Sequence, residues 1–391
     1  MRDEHVMLRQ SVRDFVAKEI EPGALERDRR EHFDLQVFQK MGKLGLLGLT
    51  APLTHGGAGM DALATVIVHE ELSASDPGLC LAYLAHALLC VNNIAVNASD
   101  AQKERFLPPL CSGKWVGAMG LSEPEVGTDA LNMKTFAKRD AQGNYVINGR
   151  KMWITNGAID DKKTPGDCIY LYAKTGEKNG RPEISTFLIE KGFKGFFVGQ
   201  NIHGKTGMRA SITAELIFED CHVPAQNRVG EEGDSLTHMM RNLEIERLGL
   251  AAMSLGIARR SIDVMVRYAN ERKAFGQALC QFGQIQAYIA DSYAEYKACR
   301  AYVYETARRM DLHAGNNRVD SDGVKLVCAP MGKRVADRAM QVLGGYGYVS
   351  EYVVERLWRD AKLLEIGGGT IEAHQKNIAG DLSKHPNWVA A

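Results

Sequence analysis

The chain has 391 residues, enough for two or three packed units around a large buried core. Hydrophobic residues make up 45% and charged residues 25%, the balance of an ordinary globular protein. Its 48 basic and 48 acidic residues cancel, which argues against nucleic acid or an anionic membrane surface as main partner, since both select a basic excess.

The N-terminal sequence Met1-Arg2-Asp3-Glu4-His5 has neither the apolar core of a secretory signal nor the acid-poor, Arg/Ser-rich look of a transit peptide. No bilayer-spanning segment is expected. The eight cysteines are scattered without C-x-x-C or a Cys/His cluster, so reduced thiols packed in a core are expected, not zinc or a disulfide framework.

Three zones follow one another: residues 1–117, 118–228 and 229–391. In the first, Met7, Val12, Phe15 and Val16 recur at helical spacing, and the apolar stretches Leu63 to Leu72 and Leu81 to Ile94 predict further helices. Pro52 and Gly56-Gly57-Ala58-Gly59 punctuate them as loop. In the second zone the period changes to two. Turn signals at Asp140 to Asn144 and at Asn148-Gly149 bracket a short strand, Tyr145-Val146-Ile147. Strand-like runs recur at Met152 to Thr155, Cys168 to Ala173, Ile184 to Ile189 and Thr213 to Phe218. In the third zone the helical period returns. Leu248, Ala252, Leu255, Ile262 and Met265 form one stripe of a long helix, opened by Glu244-Ile245-Glu246-Arg247. The fold class is therefore α+β and multidomain: helices, a β-barrel-like unit, then a helical bundle.

Gly199 to Thr206 satisfies the G-x-x-x-x-G-K-[ST] phosphate-loop pattern. That chemistry needs a helix directly after the Lys-Thr, and here Gly207 and a strand-like run follow instead, so an ATPase is rejected. No G-x-G-x-x-G lies between a strand and a helix, and His86 in an apolar stretch reads as a core or loop histidine.

Trp153 and Thr155 lie two apart, so both point to one face of a strand. A flat indole beside a hydroxyl suits an aromatic cofactor whose ring nitrogen needs a hydrogen bond, the simpler alternative being a core tryptophan beside a surface threonine. The segment Leu121 to Asp129 adds hydroxyls and a glycine-containing turn. On the long helix, Glu244 and Arg247 are three apart and can pair, which leaves Glu246 pointing elsewhere. A carboxylate on an inward face loses solvation and its pKa rises toward that of a general base; on an outward face it is a solvated surface glutamate. Gly367-Gly368-Gly369-Thr370 precedes a helical stretch, a loop that permits close backbone approach to a ligand.

Together these segments resemble the acyl-CoA dehydrogenase family nearly end to end. The resemblance rests on Leu121-Ser122-Glu123-Pro124 with Gly127-Thr128-Asp129, Lys151 to Gly157, Glu271 to Gly276, Gln341 to Gly347, Arg359-Asp360-Ala361-Lys362 and Gly369-Thr370. It implies FAD as cofactor, removal of two hydrogens from the α and β carbons of an acyl-CoA, and electron transfer to electron-transferring flavoprotein. It places Leu121, Ser122, Trp153 and Thr155 at the isoalloxazine ring, and Thr370 and Glu372 at the ribityl-diphosphate part. Arg272, Phe275, Gln341, Gly344 and Gly345 match positions that reach FAD from a neighbouring subunit, implying a homotetramer. Thr128 matches a contact to the CoA arm, and Glu244, Arg247, Gly368 and Gly369 match the surroundings of the substrate.

Most members carry the catalytic glutamate just before the Gly-Thr of the last loop, where this chain has Gly368. Isovaleryl- and long-chain-type members carry it on the long helix, at the position of Glu246. The isovaleryl type is the nearer, which implies a short branched acyl group and a place in leucine breakdown, in the mitochondrial matrix or the bacterial cytoplasm. A long-chain substrate and a non-catalytic assembly protein are the rival expectations. Three positions depart from the branch: Thr237 in place of a tyrosine, Gly283 in place of a glutamine, and His374 in place of an arginine.

Overall fold

A computed structural model describes residues 2–315 and 317–384. The first unit is helical: α1 (Asp3–Phe15), α2 (Ala24–Arg30), α3 (Leu35–Lys43), α4 (Ala62–Ser73), α5 (Pro77–His86), α6 (Asn93–Asn97) and α7 (Asp100–Cys111). Side chains set the starts. Asp61 accepts from Ala64 N and Asp76 from Leu79 N, with Pro77 at the first position of α5, where a missing N–H costs nothing.

A π-helical turn, Ala87–Asn92, joins α5 to α6, so Pro77–Asn97 runs as one helix of 21 residues. By length and composition alone this run, longer than the expected helix Leu81 to Ile94, is apolar enough to cross a membrane. Its most apolar window is nonetheless 94% buried inside the protein. It is apolar all round because protein surrounds it.

The middle unit is one sheet with the strand order β6-β7-β3-β2-β4-β5-β8, β1 adding in parallel to β4. Its strands are β1 (Gly117–Gly120), β2 (Phe136–Arg139), β3 (Tyr145–Thr155), β4 (Cys168–Lys178), β5 (Arg181–Glu190), β6 (Phe196–Asn201), β7 (Thr213–Val223) and β8 (Arg228–Val229). Most neighbours run antiparallel.

Asn148-Gly149 does not turn the chain. β3 passes straight through it, with a bulge against β7 between Ile147 and Gly149. Gly149 has φ +146°, and a Cβ there would lie 2.5 Å from Thr135 Oγ1, so the glycine serves close approach within the sheet. Behind Lys205-Thr206 no helix forms, and Lys205 Nζ instead donates to Ser211 O and Thr213 Oγ1.

The third unit comprises α8 (Ser235–Glu271), the short hairpin β9 (Lys273–Ala274) and β10 (Gln277–Ala278), α9 (Gly283–Arg309), α10 (Arg318–Leu343), α11 (Val353–Leu364) and α12 (Ile371–Leu382). α8 begins at Ser235, well before the predicted opening at Glu244, because its polar first turns carry little periodicity. One apolar core joins α4, α5, α8 and α10 to the inner face of the sheet. His86 is a satisfied core histidine: Nε2 lies 3.1 Å from Leu110 O and Nδ1 accepts from Gly117 N at 2.9 Å. All eight cysteines are free and seven are buried.

Candidate active site

Two groups of side chains lie on the sheet and on α8, which touch through Met119 and Asn242. The first lies on the sheet. Between Lys151 and Ile154 the register of β3 against β7 shifts again, and Trp153 sits there with φ +65°. A bulky residue in the left-handed region is an outlier, held against its own preference by the surrounding sheet. The bulge aims the indole outward, 61% exposed, beside half-buried Thr155, while Ile154 between them is buried. Trp153 is thus no core tryptophan.

Leu121 and Ser122 are tied to the same strand. Ser122 O accepts from Met152 N at 2.9 Å, and Leu121 O accepts from Lys151 Nζ at 3.0 Å. Lys151 is fully buried and also pairs with Glu123 Oε1 at 2.9 Å. Burial pushes the Lys151 ammonium down to about 8, partly offset by Glu123. Glu123 in turn accepts the backbone N–H groups of Lys134 and Thr135. This buried pair shapes the Leu121–Ser122 turn. Sequence reasoning missed its role, because a lysine and a glutamate far apart along the chain carry no signal of contact.

The second group surrounds Glu246. Asn242, one turn earlier on α8, donates to Met119 Sδ of β1 at 2.9 Å, so this stretch of the helix lies against the strand leading to Leu121. The Glu246 side chain is half-buried and makes no hydrogen bond or ion pair among the described residues. Desolvation raises its pKa, opposed by the positive charges of Arg247 and Lys325. Gly368 lies directly opposite. A Cβ at that position would stand 3.4 Å from both Cδ and Oε1 of Glu246, and 2.4 Å from Leu250 Cδ1.

Arg247 does not pair with Glu244. Its ion pair is with Asp322 of α10, Nη1 to Oδ1 3.0 Å, while Glu244 accepts the backbone N–H of Asn317. Thr370 caps α12 by accepting from Ala373 N, with Glu372 in the first turn. Thr128 is exposed on the loop after Val126.

Arg272, Phe275, Gln341, Gly344 and Gly345 gather elsewhere, at the far ends of α8 and α10, and all are exposed, Phe275 by 97%. Arg272 lies about seven turns, roughly 39 Å, beyond Glu246 along the same helix. Of the three departures, Thr237 is exposed and donates to Asp234 O, Gly283 is exposed at the start of α9, and His374 is fully buried.

Family models of the acyl-CoA dehydrogenase N-terminal, middle and C-terminal domains match residues 2–114, 118–221 and 233–382. The mitochondrial isovaleryl-CoA dehydrogenase of Oryza sativa subsp. japonica is 41% identical over 384 residues, covering 98% of this chain and 92% of that protein. Butyryl-CoA dehydrogenase from Megasphaera elsdenii superposes with a TM-score of 0.92 at 36% identity, covering 98% of each chain. An acyl-CoA dehydrogenase from Bacillus anthracis, solved in complex with FAD, gives 0.90 at 30% identity, covering 98% of this chain and 67% of its own. The outward indole beside a hydroxyl offers the flat face and donor that an isoalloxazine requires. The chain belongs to the acyl-CoA dehydrogenase family, a family of FAD-dependent oxidoreductases.

Proposed function

We propose that this protein dehydrogenates a short branched-chain acyl-CoA, isovaleryl-CoA, between its α and β carbons, with Glu246 as the base. The carrying observation is the meeting of Glu246 and Gly368. The loop position cannot take a proton, and the helix supplies a desolvated carboxylate 3.4 Å from where a loop side chain would begin. With no hydrogen bond or ion pair among the described residues, Glu246 is poised to accept the α proton.

FAD, when bound, supplies the hydride acceptor for the β carbon. Trp153 and Thr155 hold its ring system, with Leu121 and Ser122 kept in place by Lys151, and Thr370 and Glu372 reach its ribityl-diphosphate part. Thr128 meets the CoA arm. Electrons leave to an electron-transferring flavoprotein.

A short acyl group is supported by the isovaleryl- and butyryl-CoA dehydrogenases among the relatives. Gly249 stands one turn beyond Glu246, about 4.5 Å along the axis. Leu88 and Leu84 press on its bare Cα, their methyls 3.0 and 3.1 Å from where a Cβ would sit. The missing side chain at Gly368 lets the loop approach Leu250 and the base closely, since a Cβ there would stand 2.4 Å from Leu250 Cδ1. Arg272, Phe275, Gln341, Gly344 and Gly345 lie too far down the bundle to serve the Glu246 site of their own chain. They complete the cofactor site of a neighbouring subunit in a homotetramer.

Anaerobic titration with isovaleryl-CoA, butyryl-CoA and a long-chain acyl-CoA, followed by bleaching of the flavin band, tests the reading. Isovaleryl-CoA should bleach the flavin at near-stoichiometric amounts, and Glu246→Gln should keep its flavin but slow bleaching by about 10²–10⁴. Bleaching by long-chain substrate alone overturns the substrate, and activity above a few per cent in Glu246→Gln overturns the base.

A further inference from the structure

The loop facing Glu246 consists of three glycines, Gly367, Gly368 and Gly369, and none has a side chain to anchor it. Gly368 and Gly369 lie at φ +67° and +100°, where glycine alone rests without strain, and a free glycine segment samples many other conformations. Its backbone must therefore be fixed from outside.

Few bonds do so. Gly367 N donates to Leu363 O at 2.8 Å. Gly369 O accepts twice, from His374 Nε2 at 3.0 Å and from Lys325 Nζ at 3.3 Å. His374 comes from α12 and Lys325 from α10, and both are fully buried.

The other ring nitrogen of His374, Nδ1, lies 2.6 Å from Asp322 Oδ1, which also receives Arg247 Nη1 at 3.0 Å. A backbone carbonyl only accepts, so Nε2 donates to Gly369 O while Nδ1 faces the Asp322 carboxylate that also holds Arg247. The ring is pressed onto the loop: a Cβ on Gly369 would lie 2.8 Å from His374 Cε1. Asp322 and Lys325 sit three apart on α10 and so present one face to this ring and this carbonyl.

We propose that His374 is a positioning residue for the dehydrogenation. Clamped between Asp322 and the Gly369 carbonyl, it braces the triple-glycine loop in register with Glu246. It touches neither the base nor the reacting carbons and acts through the loop backbone. The proposal rests on the assignment of Glu246 as the base.

Two substitutions separate bracing from packing. His374→Phe keeps a ring of similar size and removes both ring nitrogens; His374→Gln gives up the ring and keeps a donor for Gly369 O. Both are compared as purified holoenzymes by flavin content, kcat and KM, and hydrogen exchange of the peptide spanning residues 364–373. In His374→Phe, loop exchange should speed up and kcat should fall, each by about tenfold or more, with flavin content and KM within about twofold of wild type. His374→Gln should restore most of both. A His374→Phe enzyme with wild-type exchange and kcat, a His374→Gln enzyme as impaired as His374→Phe, or loss of flavin in step with activity would overturn the brace.

Glu246→Gln, run in parallel, should lose turnover while its loop exchanges as in wild type. An active Glu246→Gln would overturn the base without altering the exchange result, so the two failures are distinguishable.

Discussion

Gly368→Ala puts one methyl group into the gap between loop and base, and the structure sets its cost. At φ +67° an L-residue pays about 1–2 kcal/mol that glycine does not. The new Cβ would also lie 2.4 Å from Leu250 Cδ1, where carbon atoms rest about 3.5–4 Å apart, so something must move by about 1 Å. Leu250 is 2% exposed and packed into the main core, and displacing such a side chain costs about 1–3 kcal/mol. The sum, about 2–5 kcal/mol, is relieved most readily by the loop, which carries no side chains of its own to anchor it. A loop displaced by about 1 Å beside the base costs on the order of 10²-fold in rate. Gly368→Ala should therefore lose about 100-fold in kcat/KM for isovaleryl-CoA and butyryl-CoA alike, since the loop shifts relative to the base for either substrate. Leu250→Ala combined with Gly368→Ala should recover part of the loss, because the clash is gone and only the φ penalty remains. The assay is dye-coupled turnover of both substrates beside a thermal melt. Equal turnover of isovaleryl-CoA by wild type and Gly368→Ala would refute the argument that this glycine lets the loop pack closely beside the base.

Three further outcomes follow from named groups. Burial raises the pKa of Glu246, and a base works only when ionised, so kcat/KM should climb with pH through that raised pKa; Lys325→Met removes a positive charge that lowers it and should move the climb to higher pH, whereas an unmoved profile would dissociate Lys325 from the base. Lys151→Met leaves Glu123 buried without its cation and should destabilise by about 3–5 kcal/mol, read by denaturant unfolding, with weaker flavin retention because the Leu121 carbonyl loses its donor. Buried Asp360, whose pKa burial raises to about 7 despite Arg356, binds a proton more tightly folded than unfolded. Its contribution to stability is complete below about pH 4 and is lost as pH rises through 7, so wild type should lose more melting temperature than Asp360→Asn between pH 5 and 8, and parallel curves would contradict this.

The fold was legible wherever burial is one-sided or complete. The apolar run from Leu63 to Leu72 lies within α4, and the strand-like runs at Cys168, Ile184 and Thr213 each open onto or lie within a strand. Where a residue serves a contact instead of a period, the pattern misleads. Asn148-Gly149 has turn composition, yet the glycine is there because Thr135 crosses its Cα. β1 is Gly117-Ala118-Met119-Gly120, whose small residues let Cys90 and Leu171 pack close and leave no alternation to read.

The site divides along the same line. Helical spacing shows that Glu246 does not share the face of Glu244, but not what its face meets, since that surface belongs to a loop more than a hundred residues later. The order of the neighbouring charges was likewise hidden. Glu244 and Arg247 have the spacing of a pair, but each is drawn to α10 and the segment before it, Arg247 to Asp322 and Glu244 to the backbone of Asn317. Asp322 and Lys325 read locally as an ordinary surface pair at helical spacing. They are buried because α8, α10 and α12 converge on them, and that convergence gives His374 a carboxylate on one side and a loop carbonyl on the other. Departure from a family pattern can be seen in one chain, but its physical meaning emerges only when three helices distant in sequence are placed together.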